Sequence, residues 1–406
     1  VRAMSAVPST PQRRSPMFRM ALGIVSPFLA VRSRIGRHRA SRQRAGRPSR
    51  LTSRSRGAFM PPMEIRRRQP LRDLNTFGLP AIAPFLARVE SSADLQEALA
   101  FARERGLPVL PLGGGSNVVL AGDPPGLVVQ VAIPGFDIVS DGPGGVRVRV
   151  GAGESWPDLC DRTLSAGLYG LQNLVLIPGT AGAAPIQNIG AYGVEVREFV
   201  IEVEAVEVAT GRTCTFGNAE CAFAYRDSAF KGPLRDRYVI AAVTLGLSRR
   251  PEVDASYAAL ARELAVRGVK DPAPRDVAEA VRHLRRSRLP DPADTGNAGS
   301  FFQNPVVDAS TARAMARSWP GMPTFPSGDG RVKLAAAWLI EQCGFKGARR
   351  GAAGVHPAHA LVLVNLGGAT GSDVLGLARE IQQVVKDRFG VGLAIEPTVI
   401  GAGVTP

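Results

Sequence analysis

Residues 297–305 read Asn-Ala-Gly-Ser-Phe-Phe-Gln-Asn-Pro. The glycine lets the backbone approach a ligand closely, because no Cβ stands in the way. Ser300 precedes two apolar anchors, Phe301 and Phe302, whose packing would hold its hydroxyl in one place. The same letters also suit a turn leading into a helix with Ser300 as its cap. Residues 113–118, Gly-Gly-Gly-Ser-Asn-Val, offer unshielded backbone N–H groups that suit a pyrophosphate. They form neither the G-x-G-x-x-G fingerprint nor a Gly-Lys-Ser/Thr loop, so a plain tight turn fits as well. Residues 177–193 carry four glycines and two prolines and little charge. A long irregular loop of that kind is either functional or disordered, and its low charge favours a loop lying along an extended ligand. Arg226 stands between an aromatic and an acid in Tyr-Arg-Asp, and Glu396 precedes Pro397. Taken singly, the first reads as an ion-paired surface residue and the second as a solvated turn.

The elements that must position these residues are legible by period. Residues 92–105 carry Leu95, Leu99 and Ala102 at helical spacing, with Ser92 as cap and Gly106 as stop. Strands are predicted at 109–112, 128–132, 146–150, 199–208 and 238–247, and a helix at 155–166 with Pro157 in its first turn. Further on, helices are predicted at 275–288, 333–343 and 372–389, the last with Val374, Leu377, Ile381, Val384 and Val385 on one face. Strands are predicted at 360–365 and 391–395, the second ending at Glu396. The Pro- and Asp-rich stretch 289–299 marks a domain boundary.

Composition narrows the function classes. The chain has 406 residues and a net charge of +15, but residues 1–68 hold 17 Arg against the single acid Glu64, leaving residues 69–406 at −1. Basic character belongs to the tail, so nucleic-acid binding by the folded body is not expected. A basic arm for nucleic acid or anionic lipid is the second reading of that tail. The preferred reading is an unstructured extension outside the native protein, with Met60 or Met63 the natural start. The apolar run at 20–31 is too short to span a bilayer and is followed by eight Arg, which opposes translocation. The four cysteines form no C-x-x-C, so reduced thiols are expected and no metal site.

Six motifs, in order, are Asn75-Thr-Phe-Gly78, residues 113–118, 177–193, Tyr225-Arg-Asp-Ser228, 297–305 and Glu396-Pro397. Together they resemble the UDP-N-acetylenolpyruvoylglucosamine reductase family, from about residue 71 to residue 403. The resemblance implies an α+β fold: an FAD-binding region of vanillyl-alcohol-oxidase (PCMH) type in two α/β subdomains at 79–250, and a C-terminal α/β substrate-binding domain at 290–406. A segment at 251–289 connects them and carries a substrate loop. The resemblance places FAD on Gly113, Gly114, Gly115, Ser116, Asn117, Val118, Pro178, Gly179, Thr180, Gly182, Gln187, Asn188, Gly190 and Gly193. It places the sugar nucleotide on Tyr192, Tyr257, Arg288, Asn304 and His359, with Tyr257 matching the mobile-loop tyrosine of the type I branch. Two departures stand out: Gln303 where the family usually has Lys, and Ala224 where it usually has Gly.

The implied activity is that of a monomeric, cytoplasmic enzyme of peptidoglycan synthesis. NADPH reduces FAD, and the hydride then passes to the enolpyruvyl β-carbon. Arg226 and Glu396 steady the charge at the α-carbon, and Ser300 protonates it. An FAD oxidase of the same fold would share the FAD loops but need not carry Arg226, Ser300 and Glu396 together. Every motif lies beyond residue 71, so removing residues 1–62 should leave flavin content and turnover unchanged. Loss of the flavin absorbance from the shortened protein would contradict this.

Overall fold

The structure, a computed structural model, describes residues 63–401 apart from Asp329. In the first half, β1 (Ile65–Pro70), β2 (Ile82–Val89), α1 (Ser92–Glu104), β3 (Val109–Leu112), β4 (Val118–Leu120) and β5 (Leu127–Val131) come first. β6 (Phe136–Gly142), β7 (Gly145–Gly151), α2 (Trp156–Ser165), β8 (Gly190–Ala191) and β9 (Val194–Glu195) follow, then β10 (Val200–Glu207), β11 (Thr213–Gly217) and β12 (Tyr238–Leu247). The chain continues through α3 (Ala258–Val266), α4 (Pro274–Arg286), β13 (Val306–Asp308), α5 (Ala309–Ser318), β14 (Thr324–Pro326), β15 (Arg331–Leu334) and α6 (Ala336–Gln342). Last come β16 (Arg349–Arg350), β17 (Ala353–Val355), β18 (Leu363–Asn365), α7 (Gly371–Phe389) and β19 (Thr398–Ile400).

One sheet runs β1-β2-β5-β3, parallel except at its β1 edge. β5 reads Leu-Val-Val-Gln-Val, a near-continuous apolar run expected of a strand covered on both faces. Leu127, Val129 and Val131 face one core with α1, while Val128 faces a second core with Leu86. The other large sheet, β11-β10-β12-β7-β6, is antiparallel throughout. The cores do not follow the sequence boundaries predicted for the domains. Leu71, Phe77 and Leu79 pack with the second core, alongside Phe301, Leu339 and Ile381. The connecting helices α3 and α4 belong to the first core through Leu260, Leu264, Val277 and Val281.

Three sets of bonds bring the distant motifs together. β19 pairs in parallel with β4, Thr398 opposite Val118 and Ile400 opposite Leu120. The Thr398 N–H donates to the Asn117 carbonyl at 2.9 Å. Thr76 then stitches the glycine turn to 297–305: its N–H donates to the Gly115 carbonyl at 3.1 Å and its hydroxyl to the Asn297 carbonyl at 2.6 Å. Finally, the Glu396 N–H donates to the Phe301 carbonyl at 2.9 Å, as does the Gln303 N–H to the Ala394 carbonyl. Phe301 and Phe302 are buried and meet edge to face at 5.2 Å, so this ladder is anchored from below.

Several expectations are corrected. The tail does not stay irregular to residue 68, since Ile65–Pro70 is an edge strand paired with β2; residues 1–62 lie outside the described residues. The helix at 92–105 is capped by Ser91, whose hydroxyl accepts from the Asp94 N–H at 3.0 Å, and Ser92 is its first residue. Lys333 lies in strand β15, not in a helix, because its neighbours pair with β13 and β14 before α6 begins at Ala336. Residues 391–395 run extended without forming a regular strand, so Glu396 precedes the last strand instead of ending one. Val384 is exposed and lies off the buried face of α7. Ser300 caps no helix; the next one starts at Ala309.

Two glycines test this packing in opposite directions. Gly115 has φ +61°, and a Cβ there would lie 2.0 Å from the Leu74 carbonyl oxygen. Gly115→Ala should cost about 3 kcal/mol, the upper end for a strained left-handed residue. Gly376 sits on the exposed side of α7 with open space around it. Gly376→Ala should stabilise the protein by about 0.5–1 kcal/mol. Urea unfolding of both variants checks the signs.

Candidate active site

The glycine turn and the long loop meet face to face. A Cβ on Gly114 would come within 3.1 Å of Gly179 Cα, so only glycine lets the two backbones lie this close. Ser116 Oγ donates to the Pro178 carbonyl at 3.0 Å, and the Asn117 side-chain amide donates to that of Gln187. These residues, with Gly113, Gly115, Val118, Gly179 and Thr180, line one cavity walled also by Trp156, Ile186 and Ile400. Its lining holds no carboxylate and one cation, Lys231. Bare backbone, apolar walls and a single positive charge suit a flat dinucleotide with a diphosphate.

A second cavity, about 130 Å³, adjoins the first and shares Ser116, Asn117, Pro178 and Gln187 with it. Arg226, Ser300 and Glu396 all line it, although 170 residues separate the first from the last. Arg226 Nε lies 3.4 Å from Glu396 Oε1, and both side chains are largely buried. The Arg226 backbone has φ +56°, a conformation rare outside glycine. It is held there from several sides: Ala224 and Asp227 exchange backbone hydrogen bonds, Lys231 Nζ donates to the Arg226 carbonyl at 3.1 Å, and Arg226 Nη2 donates to the Gly190 carbonyl at 2.8 Å. A Cβ on Gly190 would stand 3.3 Å from Arg226 Nη1, so this glycine clears space for the guanidinium. Burial pushes the Glu396 carboxyl above its usual range, with Arg226 and Lys231 pulling it back. The Ser300 hydroxyl forms no hydrogen bond with any other described residue. A larger cavity, about 800 Å³, lies elsewhere along 142–147 and 246–254 and contains none of these groups.

Residues 291–400 match the family described as UDP-N-acetylenolpyruvoylglucosamine reductase, C-terminal domain, and residues 83–217 match the FAD binding domain family. The chain is 51% identical to the UDP-N-acetylenolpyruvoylglucosamine reductase of Ralstonia nicotianae over 334 residues, covering 82% of this chain and 98% of that one. It is 47% identical to that of Pseudomonas aeruginosa over 337 residues, covering 83% and 99%. The chain belongs to the UDP-N-acetylenolpyruvoylglucosamine reductase family. The crystal structure of the Thermus caldophilus reductase superposes with a TM-score of 0.59 at 26% identity, covering 83% of this chain and 99% of that one. The fold is thus the FAD-binding type expected, joined to the reductase C-terminal domain.

As a member of this reductase family, the chain gathers its remaining candidates in pairs. Tyr192 and Tyr257 meet edge to face at 5.6 Å, with Tyr257 exposed. Behind them Asn173 donates to the Tyr192 carbonyl at 3.1 Å and to the Asp254 carbonyl at 2.9 Å, fixing the base of the 254–257 segment. Asn304 lies beside the Tyr225 hydroxyl, and its Oδ1 accepts from the Ala336 N–H at 2.9 Å. His359 is neighbour to Arg288, and burial first, then that guanidinium, lowers the affinity of its ring for a proton. Gly182, Asn188 and Gly193 lie off both cavity walls. Gly182 packs against Ala152 and Gly193 beside Asp254. The buried Asn188 amide is spent on Glu195, the Ala224 carbonyl and the Arg197 N–H.

Sequence reasoning passed over three cations. Lys231 lines the first cavity and grips the Arg226 turn. Lys333 Nζ stands 3.6 Å from the centre of the Tyr225 ring, a placement hidden by its misassignment to a helix. Arg285 lines the same cavity as Arg226, Ser300 and Glu396. Its signal was present: it follows Ala278 and Val281 at inward spacing on α4, where a charge is out of place.

The coupling of Arg226 to Glu396 has a measurable sign. Arg226 holds the Glu396 carboxyl down against burial, so Arg226→Met should raise it further and keep it protonated to higher pH. Following the protonated carboxyl's infrared band through a pH titration would show the shift; an unmoved band would mean the two groups are not coupled.

Proposed function

We infer that the protein reduces UDP-N-acetylenolpyruvoylglucosamine to UDP-N-acetylmuramate with NADPH as reductant, in peptidoglycan synthesis. The observation that carries this is the convergence of Arg226, Ser300 and Glu396 on one small cavity that shares its wall with the glycine-rich cradle. Bound FAD supplies the hydride chemistry. The cradle at 113–118 and 178–187, within 79–250, holds it. Residues 290–406 complete the sugar-nucleotide site, with Tyr192 and Tyr257 contributed across the boundary and Arg288, Asn304 and His359 at its outer end.

The roles of the three residues follow from their types. The guanidinium of Arg226 is a planar fork that matches a carboxylate at two points, and here it is pre-aimed by its carbonyl and glycine contacts. It binds the enolpyruvyl carboxylate and steadies the charge that spreads into it as the β-carbon accepts hydride. Glu396, pushed toward its protonated form by burial, donates to the same charge instead of repelling it. Ser300 gives its hydroxyl proton to the α-carbon. A hydroxyl is a weak acid in water, yet a carbanion is basic enough to take its proton at contact distance. Among the described residues no helix is long and apolar enough to cross a membrane, and no group of acidic, His or Cys side chains could hold a metal ion. A cytoplasmic monomer suits a soluble nucleotide-sugar substrate.

The two half-reactions separate at Ser300. Ser300→Ala should leave reduction of the flavin by NADPH near the wild-type rate. Reoxidation by the enolpyruvyl sugar should slow by a factor on the order of 10² or more, the scale for losing a positioned acid. Ser300→Cys should restore part of it. Stopped-flow spectra resolve the two phases, and equal slowing of both would remove Ser300 from the role of acid.

A further inference from the structure

Gln172 and Asn173 are adjacent polar residues, 3% and 1% exposed, in the single helical turn Leu171–Leu174. Neither lines the cavity of Arg226, Ser300 and Glu396. Their amides are spent on distant stretches of backbone. Gln172 Nε2 donates to the Glu252 carbonyl at 3.0 Å, while its Oε1 accepts from the Gly170 N–H at 2.7 Å. Asn173 Nδ2 divides its two protons between the Asp254 carbonyl at 2.9 Å and the Tyr192 carbonyl at 3.1 Å. The Asn173 Oδ1 is sealed from solvent and accepts nothing. An idle buried acceptor is a cost, so the residue is of use here for its two donors.

The stretch they hold has little else to hold it. Residues 251–256 form neither helix nor strand between β12 and α3. Among the described residues, their one hydrogen bond to another backbone group is the local bond from the Glu252 N–H to the Arg250 carbonyl. Glu252 and Asp254 are two apart, so their carbonyls leave the same edge of an extended chain. Two side-chain amides meet that edge where a neighbouring strand would otherwise stand. Tyr257 follows, and its ring meets that of Tyr192. The Tyr192 backbone is left-handed, with φ +49°, and needs outside support to stay so. Asn173 thus bonds the backbone of one tyrosine and the approach to the other.

We propose that Asn173, backed by Gln172, is a positioning residue for sugar-nucleotide binding: its forked amide sets Tyr192 and Tyr257 relative to each other before the substrate arrives. The inference rests on the reading above that these two tyrosines bind the sugar nucleotide. A pair set in advance avoids the ordering cost that binding would otherwise carry. Losing the fork weakens ground-state and transition-state binding alike, so the effect falls on KM and not on kcat.

Two measurements on the FAD-loaded full-length enzyme test this. The first needs no substrate. Chymotrypsin should cut after Tyr257 about tenfold faster in Asn173→Leu than in the wild type, the scale of one lost hydrogen bond, with the fragment identified by mass. The second is turnover with NADPH and UDP-N-acetylenolpyruvoylglucosamine. Asn173→Leu should raise KM for the sugar nucleotide at least about fivefold and leave kcat within about twofold. Asn173→Asp keeps the shape but turns an oxygen toward both carbonyls, so it should match the Leu variant. Tyr257→Ala should already carry the loss, and adding Asn173→Leu to it should move KM little further. Should Asn173→Leu fail to fold, Asn173→Asp and Gln172→Leu are compared by the same measurements. Unchanged cleavage and KM would overturn the proposal. A fall in kcat with KM unmoved, or additive effects in the double variant, would overturn it too and make Asn173 merely structural. Failure of the functional reading would show separately, as a wild type that binds FAD but does not turn over the sugar nucleotide.

Discussion

The site depends on the parallel pairing of β4 with β19. β4 leaves the glycine turn directly, and β19 follows Glu396 after one proline. Three residue pairs therefore fix the distance between the glycine-rich cradle and the Glu396 carboxyl. Once β19 is docked, the Glu396 N–H meets the Phe301 carbonyl, and Ser300 is drawn to the same wall. Gly371 lets the start of α7 press against this pair; a Cβ there would lie 2.0 Å from the Leu120 carbonyl oxygen. At the Leu120 end of the ladder, any side chain at Gly371 would push the start of the helix off the strand.

Beside that ladder, Arg226 is one of the places where the site stores strain. Arg226 adopts a left-handed backbone that glycine would adopt more readily, yet the proposed chemistry needs its side chain. Four hydrogen bonds from neighbouring loops over-determine the turn, so the guanidinium is aimed before any ligand arrives. The electrostatics pull in two directions: burial raises the Glu396 carboxyl while Arg226 and Lys231 restrain it.

Much of this was readable in the sequence because glycine carries geometry. The close approach of Gly114 to Gly179 and the stop at Gly106 are both consequences of a missing Cβ. Period alone located α1, α4 and α7, since each buries one apolar stripe. It failed at Lys333, where a four-residue strand abuts a helix and the apolar run continues through both. It failed again at residues 65–68, because an exposed edge strand buries too little to show an apolar pattern. Arg226 and Glu396 were unremarkable singly; long-range backbone pairing, which no local window reports, puts them 3.4 Å apart. Asn188 shows the converse, a loop amide held on three sides by Glu195, the Ala224 carbonyl and the Arg197 N–H, which its sequence neighbours do not announce.

The sheet formed by β1, β2, β5 and β3 belongs to two cores at once, with Val128 on one side and Val129 on the other. Neither core can melt without stripping a face of this sheet. The FAD-binding region and the C-terminal domain are therefore not separable stability units, despite matching different families. Cooperativity is built into the strand itself: heat or denaturant should take both halves in one transition, and the cavity lined by Arg226, Ser300 and Glu396 should be lost with them. A shared sheet of this kind disfavours a half-folded form in which the cradle survives and Ser300 is displaced.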